Sequence, residues 1–226
     1  MIRSRVACLA AALFLFAAGH AAAEAFPDPL KLYGSDIAFA VWRKGTQIGE
    51  HRVTFARQDD VLTVRSILDL AVKFLGLTVY TFHYTCQEIW RDNKLDALTS
   101  TIDDNGTKTA VNAKDEGGAL AVTGPDAHER IAHSILPSSH WDAQVIDATR
   151  VLNTLSGKIS EVKLEPLGVE SVAVGSTTRP ATHYRYVSDF KAESWYDAGG
   201  HWLKLRFPGK DGTPIDYVCE RCVAPQ

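Results

Sequence analysis

Apolar and polar residues alternate along most of this chain with a period of two, the spacing of strands that bury one face. Ile37, Phe39 and Val41 share one face. Leu62, Val64, Leu68, Leu70 and Val72 share another, opposite Thr63, Arg65 and Asp69. Tyr80, Phe82, Tyr84, Cys86 and Trp90 form a largely aromatic ladder opposite Thr81, His83, Thr85 and Gln87. The pattern resumes at Val162 and Leu164, at Tyr184 and Tyr186, and at Leu203, Leu205 and Phe207, the last three opposite Trp202, Lys204 and Arg206. Between these runs stand residues that tolerate positive φ: Lys44-Gly45, Asp59-Asp60, Asp92-Asn93, Asn105-Gly106, Gly117-Gly118, Gly199-Gly200 and Asp211-Gly212. Asn105-Gly106 is the strongest hairpin signal, because a two-residue type I′ turn needs positive φ at both positions. Strand and turn repeating roughly every ten residues is a meander, whereas βαβ folds need long helical crossovers.

The rhythm breaks over residues 123–154, where Pro125, Pro137, Ser138 and Ser139 mark loop. Residues 143–153 predict one short helix, with Val145, Thr149 and Leu152 near one stripe. Such a segment inside a regular meander is either a lid over a ligand mouth or a plug in an open end of the sheet. The predicted fold is all-β: a strongly curved antiparallel meander, closed or partly closed into a barrel of about nine to twelve strands, with that one short helix. Residues 34–122 are expected to run as consecutive hairpins, with a bulge or bend at Phe74-Leu75-Gly76-Leu77. Residues 24–226 are expected to form a single β domain.

Residues 1–23 read as an export signal. Arg3 and Arg5 supply the positive start, an apolar run follows over residues 6–18, and Ala21, Ala22 and Ala23 offer a cleavage site. The expected location is therefore periplasmic or secreted. Cys8 is no lipidation cysteine, because most of the apolar run lies after it. No later stretch has the apolar length of a transmembrane segment. Removing Arg3 and Arg5 from 24 basic residues leaves 22 against 27 acidic ones, a net charge of −5. That balance argues for solubility and against nucleic acid or anionic lipid as partners.

Export also bears on the three remaining cysteines, an odd number: Cys86, Cys219 and Cys222. Cys219-Glu220-Arg221-Cys222 is a C-x-x-C at the chain end, without the following helix that a redox motif needs. It also lacks the second ligand pair that zinc needs and the following His that haem attachment needs. A structural Cys219–Cys222 disulfide is expected, with Cys86 a buried free thiol; a Cys86 bridge to the tail is the alternative.

Most other chemistry is excluded. His128-Glu129-Arg130-Ile131-Ala132-His133 has its histidines five apart, about 140° around a helix, where a zincin needs four. There is no nucleophile elbow, P-loop or dinucleotide fingerprint. Asp103-Asp104-Asn105-Gly106 lacks the closing glutamate of a calcium loop and reads as a turn. No metal and no cofactor is expected. The densest polar and aromatic cluster is His183-Tyr184-Arg185-Tyr186 with Trp195-Tyr196-Asp197, which reads as two neighbouring strands joined near Asp189, with the tyrosines in the core.

Five segments carry a resemblance. They are Pro137-Ser138-Ser139-His140-Trp141, His183-Tyr184-Arg185-Tyr186, Glu193-Ser194-Trp195-Tyr196-Asp197, Trp202-Leu203-Lys204-Leu205-Arg206-Phe207 and Lys210-Asp211-Gly212. With the export signal they resemble the six-one-three-four domain of unknown function, an exported bacterial family, over residues 33 to 217. The resemblance implies fold and location and brings no catalytic residue.

The expected function is non-enzymatic binding or carriage of a hydrophobic or amphipathic small molecule or lipid. The candidate contacts are Tyr80, Phe82, Tyr84, Trp90, Trp141, His183, Arg185 and Trp195. The alternatives are an envelope assembly or scaffold protein, and a hydrolase built around His140, His183 and Asp197. Nothing in the pattern sets an oligomeric state.

Overall fold

Seven consecutive hairpin-linked strands open the fold, in the order the alternation predicts. They are β1 (Asp36–Arg43), β2 (Thr46–Gln58), β3 (Val61–Phe74), β4 (Leu77–Arg91), β5 (Lys94–Asp104), β6 (Thr107–Asp115) and β7 (Leu120–Gly124), followed by β8 (Ala127–Ile131). The computed structural model describes residues 28–188 and 190–225. The export signal, its cleavage site and Asp189 lie outside the described residues. After three short strands, β9 (Leu136–Pro137), β10 (Arg150–Leu152) and β11 (Ile159–Glu161), come β12 (Leu164–Val174), β13 (Thr177–Tyr186), β14 (Glu193–Tyr196), β15 (Trp202–Pro208) and β16 (Pro214–Arg221).

Thirteen strands make one sheet in the order β12-β13-β14-β15-β16-β1-β2-β3-β4-β5-β6-β7-β8, one strand more than the expected upper bound. The chain thus joins its end to its beginning, because β16 pairs with β1. A parallel bridge from Val174 to Cys219 brings β12 back to β16, so one end of the sheet curls on itself. The barrel is therefore partly closed. The turns are those the sequence marks: Asn105 and Gly106 take φ of 53° and 93°, and the Gly106 amide donates to Asp103 at 2.7 Å.

Two of the register shifts bear on the interior. Gly49 opposes Val41 and Gln47 opposes Trp42, leaving Ile48 as the extra residue of β2. A Cβ on Gly49 would meet the Asp69 carbonyl oxygen at 1.9 Å, so only glycine lets β2 and β3 approach there. In β15, Trp195 opposes Lys204 and Tyr196 opposes Trp202, so Leu203 is extra. That residue inverts the parity of everything before it. Trp202, expected on the polar face, points inward against Phe39, with ring centres 4.4 Å apart.

The predicted helix over residues 143–153 is a shorter element. Only Ala143–Ile146 form a 3-10 turn, capped by Asp142, which accepts from the Gln144 amide at 2.9 Å. Residues 150–152 extend instead as β10, in a small sheet with β9 and β11. The tertiary pairing of Val151 and Leu152 outweighs a weak helical stripe. Among the described residues the one α-helix, α1 (Pro29–Tyr33), lies earlier; Asp28 caps it, Pro29 starts it and Gly34 at φ 74° ends it.

The non-periodic segment is a plug. Trp141 is buried inside the sheet, edge-on to Phe55 of β2 and Trp90 of β4. Tyr33 donates to the Trp141 carbonyl, Tyr196 to the His140 carbonyl and Ser100 to the Thr154 carbonyl. The backbone groups of a buried loop must be satisfied by something, and here Ser100 of β5, Tyr196 of β14 and Tyr33 of α1 do it.

Candidate functional site

The plug fills only part of the interior. Above it a cavity of about 800 Å³ remains, walled by β2, β3 and β4 on one side and by β15 and β16 on the other. Its floor is plug: residues 138–141 and 153–155. The wall is mainly apolar, with Val53, Leu68, Leu70 and Leu205 in the middle. Arg43, Val79, Lys210 and Asp211 line the other end and stand at or beside hairpin turns, so the cavity opens there.

Two imidazoles face into this space. Among the described residues His51 has no hydrogen-bond partner on either ring nitrogen, and both nitrogens are buried. Its ring lies among Phe39, Trp202 and Tyr217, with centres 5.3 to 6.3 Å away. Burial, with nearby His140, pushes its pKa down to about 3. It is a neutral ring at pH 7, offering one N–H donor and one nitrogen acceptor. Burial lowers His140 to about 4, and its Nδ1 lies 3.1 Å from the Tyr186 hydroxyl. Tyr84 donates to Thr154 Oγ1 at 2.9 Å, joining wall to floor.

Beneath the floor lies a buried carboxylate. Glu88 Oε2 accepts from the indole N–H groups of Trp90 at 2.9 Å and Trp141 at 3.1 Å. Burial raises its pKa, while the Ser139 hydroxyl and the two indoles oppose that rise. Glu88 shares the inward face of Tyr84 and Cys86. Counting by twos along β4 finds it between Cys86 and Trp90, where a ladder read from apolar residues alone leaves a gap. His51 is found the same way, two residues before Val53 and four before Phe55 on β2.

Ion pairs cross the mouth. Lys210 Nζ lies 2.7 Å from Asp104 Oδ2, and Tyr80 donates to Asp104 Oδ1 at 2.9 Å. The Lys210 contact holds the Asp104 carboxyl below its ordinary pKa. Arg43 pairs with Asp211 on the same rim.

Of the eight residues singled out from the sequence, Tyr80, Phe82, Tyr84 and Trp141 line the cavity. Trp90 sits below the floor on Glu88. The other three gather elsewhere. His183 stacks on Trp195 with ring centres 4.1 Å apart and reaches Glu170 and Glu193. Trp195 donates to Glu170 and lies under the Lys204 ammonium. Arg185 is exposed beside Glu193. The hydrolase constellation does not assemble: Asp197 binds His201 and Arg179, His183 binds glutamates, and His140 binds Tyr186. Among the described residues no cluster of three or more His, Cys, Asp or Glu is placed to hold a metal ion. Cys219 and Cys222 are joined, with Cα atoms 5.9 Å apart, and Cys86 is a buried free thiol. Among the described residues no helix is long and apolar enough to cross a membrane.

No curated protein has a sequence that matches this chain. A crystal structure of a β-barrel-like protein of the domain of unknown function DUF1849, from Brucella abortus, is similar in fold. The TM-score is 0.60 over 87% of this chain and 99% of that one, at 7% identity. The likeness shows the fold alone. A family model matches residues 39–220, and the chain therefore belongs to the domain of unknown function DUF6134.

Proposed function

We propose that this chain is an exported, non-enzymatic binder or carrier of an amphipathic small molecule, acting in the periplasm as one β domain. The export signal and the joined cysteine pair support the location. The observation that carries the reading is the cavity. Its volume of about 800 Å³ falls in the range of small-molecule sites, and it combines an apolar wall with one uncompensated polar side chain, His51. Leaving buried ring nitrogens unpaired costs free energy, which a ligand hydroxyl, amide or uncharged carboxyl would recover. The apolar body of the ligand would lie against Leu68, Leu70 and Phe82.

Native mass spectrometry of protein purified from the periplasm tests this, with organic extraction to identify the bound molecule. An amphipathic adduct is expected, lost in a Leu68→Trp variant that fills the cavity. Apo protein from the periplasm that also fails to take up a fluorescent fatty-acid probe would overturn the reading.

A further inference from the structure

The hairpin of β3 and β4 stands beyond its neighbours. β2 pairs with β3 only as far as Leu70, and β5 pairs with β4 only from Phe82. The four pairs from Ala71–Thr81 to Phe74–Leu77 therefore run past both neighbouring strands, held at their base where Thr81 bonds Asn105 and Tyr80 bonds Asp104. This overhang is apolar at its end. Phe74, Leu75, Leu77 and Val79 are 66%, 87%, 72% and 53% exposed.

Its turn breaks the rule that the other turns keep. Lys44-Gly45, Asp59-Asp60, Asp92-Asn93 and Asn105-Gly106 place polar residues or glycine at positive φ. At the tip, Leu75 takes φ 50°, a region that bulky apolar side chains avoid. Leucine here serves neither the turn nor the core, so an outward role is the physical account that remains.

The apolar surface is continuous with the cavity, because Val79 and Val72 line the mouth as well as the hairpin. Charge is also unevenly spread. The β1–β2, β3–β4, β5–β6 and β15–β16 turns at the mouth carry Arg43, Lys44, Lys73, Lys108 and Lys210 against Asp103, Asp104 and Asp211. The β2–β3, β4–β5 and β6–β7 turns at the opposite end carry Arg91 and Lys94 against Asp59, Asp60, Asp92, Asp115 and Glu116. Lys44 and Lys73 are exposed and make no ion pair with a described residue. A net acidic chain thus presents a cationic, apolar-tipped end where its cavity opens.

We propose that the β3–β4 hairpin tip docks this end onto an anionic bilayer, with Leu75 and Leu77 in the interfacial layer and Lys44 and Lys73 on lipid phosphates. Docked so, the mouth faces the membrane, and the cavity exchanges its amphipathic ligand with the bilayer. That last step rests on the carrier reading above; the docking does not.

The test is co-sedimentation of the mature protein with protein-free vesicles of phosphatidylethanolamine and phosphatidylglycerol, and with phosphatidylcholine vesicles for comparison. Leu75→Asn with Leu77→Thr suits the turn better than the native residues, so the fold should be kept or strengthened. The double variant is expected to partition about tenfold more weakly. Its uptake of a fluorescent fatty-acid probe from water is expected to be unchanged. Lys44→Gln with Lys73→Gln should remove the preference for phosphatidylglycerol. Equal partitioning of wild type and the Leu75/Leu77 variant would overturn the proposal. So would a wild type that ignores both vesicles while its hairpin crosslinks to a protein in cells. Docking without any cavity ligand would leave this proposal standing and sink the carrier reading instead.

Discussion

Lys210 Nζ lies 2.7 Å from Asp104 Oδ2 and 5.2 Å from the centre of the Tyr80 ring. The β15–β16 turn is thereby tied across the cavity mouth to the end of β5, although β16, β1, β2, β3 and β4 intervene in the sheet. The contact spans the mouth and is exposed to water. Exposed ion pairs contribute about 0–1 kcal/mol. Lys210→Gln should therefore leave urea unfolding nearly unchanged while a cavity probe exchanges faster in stopped-flow fluorescence. An unchanged exchange rate would show that the pair does not limit passage.

Phe39 on β1 and Phe82 on β4 both face inward, yet their surroundings differ. Phe39 is fully buried against Trp202, whereas Phe82 is half-buried and borders the cavity. Phe39→Ala should cost about 3–5 kcal/mol. Phe82→Ala removes less buried area and enlarges a space already empty of side chains, so about 1–2 kcal/mol is expected. Equal losses in urea unfolding would mean that the cavity is collapsed in solution.

Stability should fall in acid through the buried histidines. The ordinary His pKa is 6.5, and the folded values are about 3 for His51 and about 4 for His140. As pH drops below 6.5 the unfolded chain binds protons that the fold refuses, so stability is lost progressively down to those folded values. Asp142 opposes this, because its folded pKa is about 6 against an ordinary 3.8. Its destabilisation grows as pH rises through that window and is relieved in acid. Glu88, also raised by burial, opposes it in the same way, so the His51 share is read as the difference between wild type and variant. His51→Phe should remove a slope on the order of 4 kcal/mol between pH 6.5 and 3, read from urea midpoints at fixed pH. An unchanged profile would place the His51 ring in water.

The cysteines are expected to separate cleanly by reactivity. Cys86 is buried and its thiol pKa is raised by burial, with Glu88 adding to the rise. It should resist alkylation until the chain unfolds. The Cys219–Cys222 bridge closes a very short loop, so Cys219→Ala with Cys222→Ala should cost about 2 kcal/mol in the chain-entropy model. Non-reduced peptide mapping checks the pairing, and a disulfide-linked peptide containing Cys86 would refute it.

The sequence by itself determined the meander of β1 to β7, its turns and the inward face of the Tyr80–Trp90 ladder. Alternation and positive-φ residues act over a few positions, so they are legible locally. That is why the ladder from Tyr80 to Trp90 faces inward and why Asn105-Gly106 turns. Parity survives only until a bulge, and bulges depend on how close two strands come. Trp202 crossed to the inner face because Leu203 is an extra residue opposite β14. Only the tertiary structure decided that His140, Trp141, Val145, Leu152 and Thr154 face the interior. Their partners Phe55, Ser100, Tyr186 and Tyr196 are tens of residues away. Only it separated Tyr80, Phe82, Tyr84 and Trp141 around one cavity from His183, Arg185 and Trp195 on another part of the sheet. A cavity is a volume left between distant segments. Its existence depends on closure and on how much the plug fills, and neither is written in any short stretch of the chain.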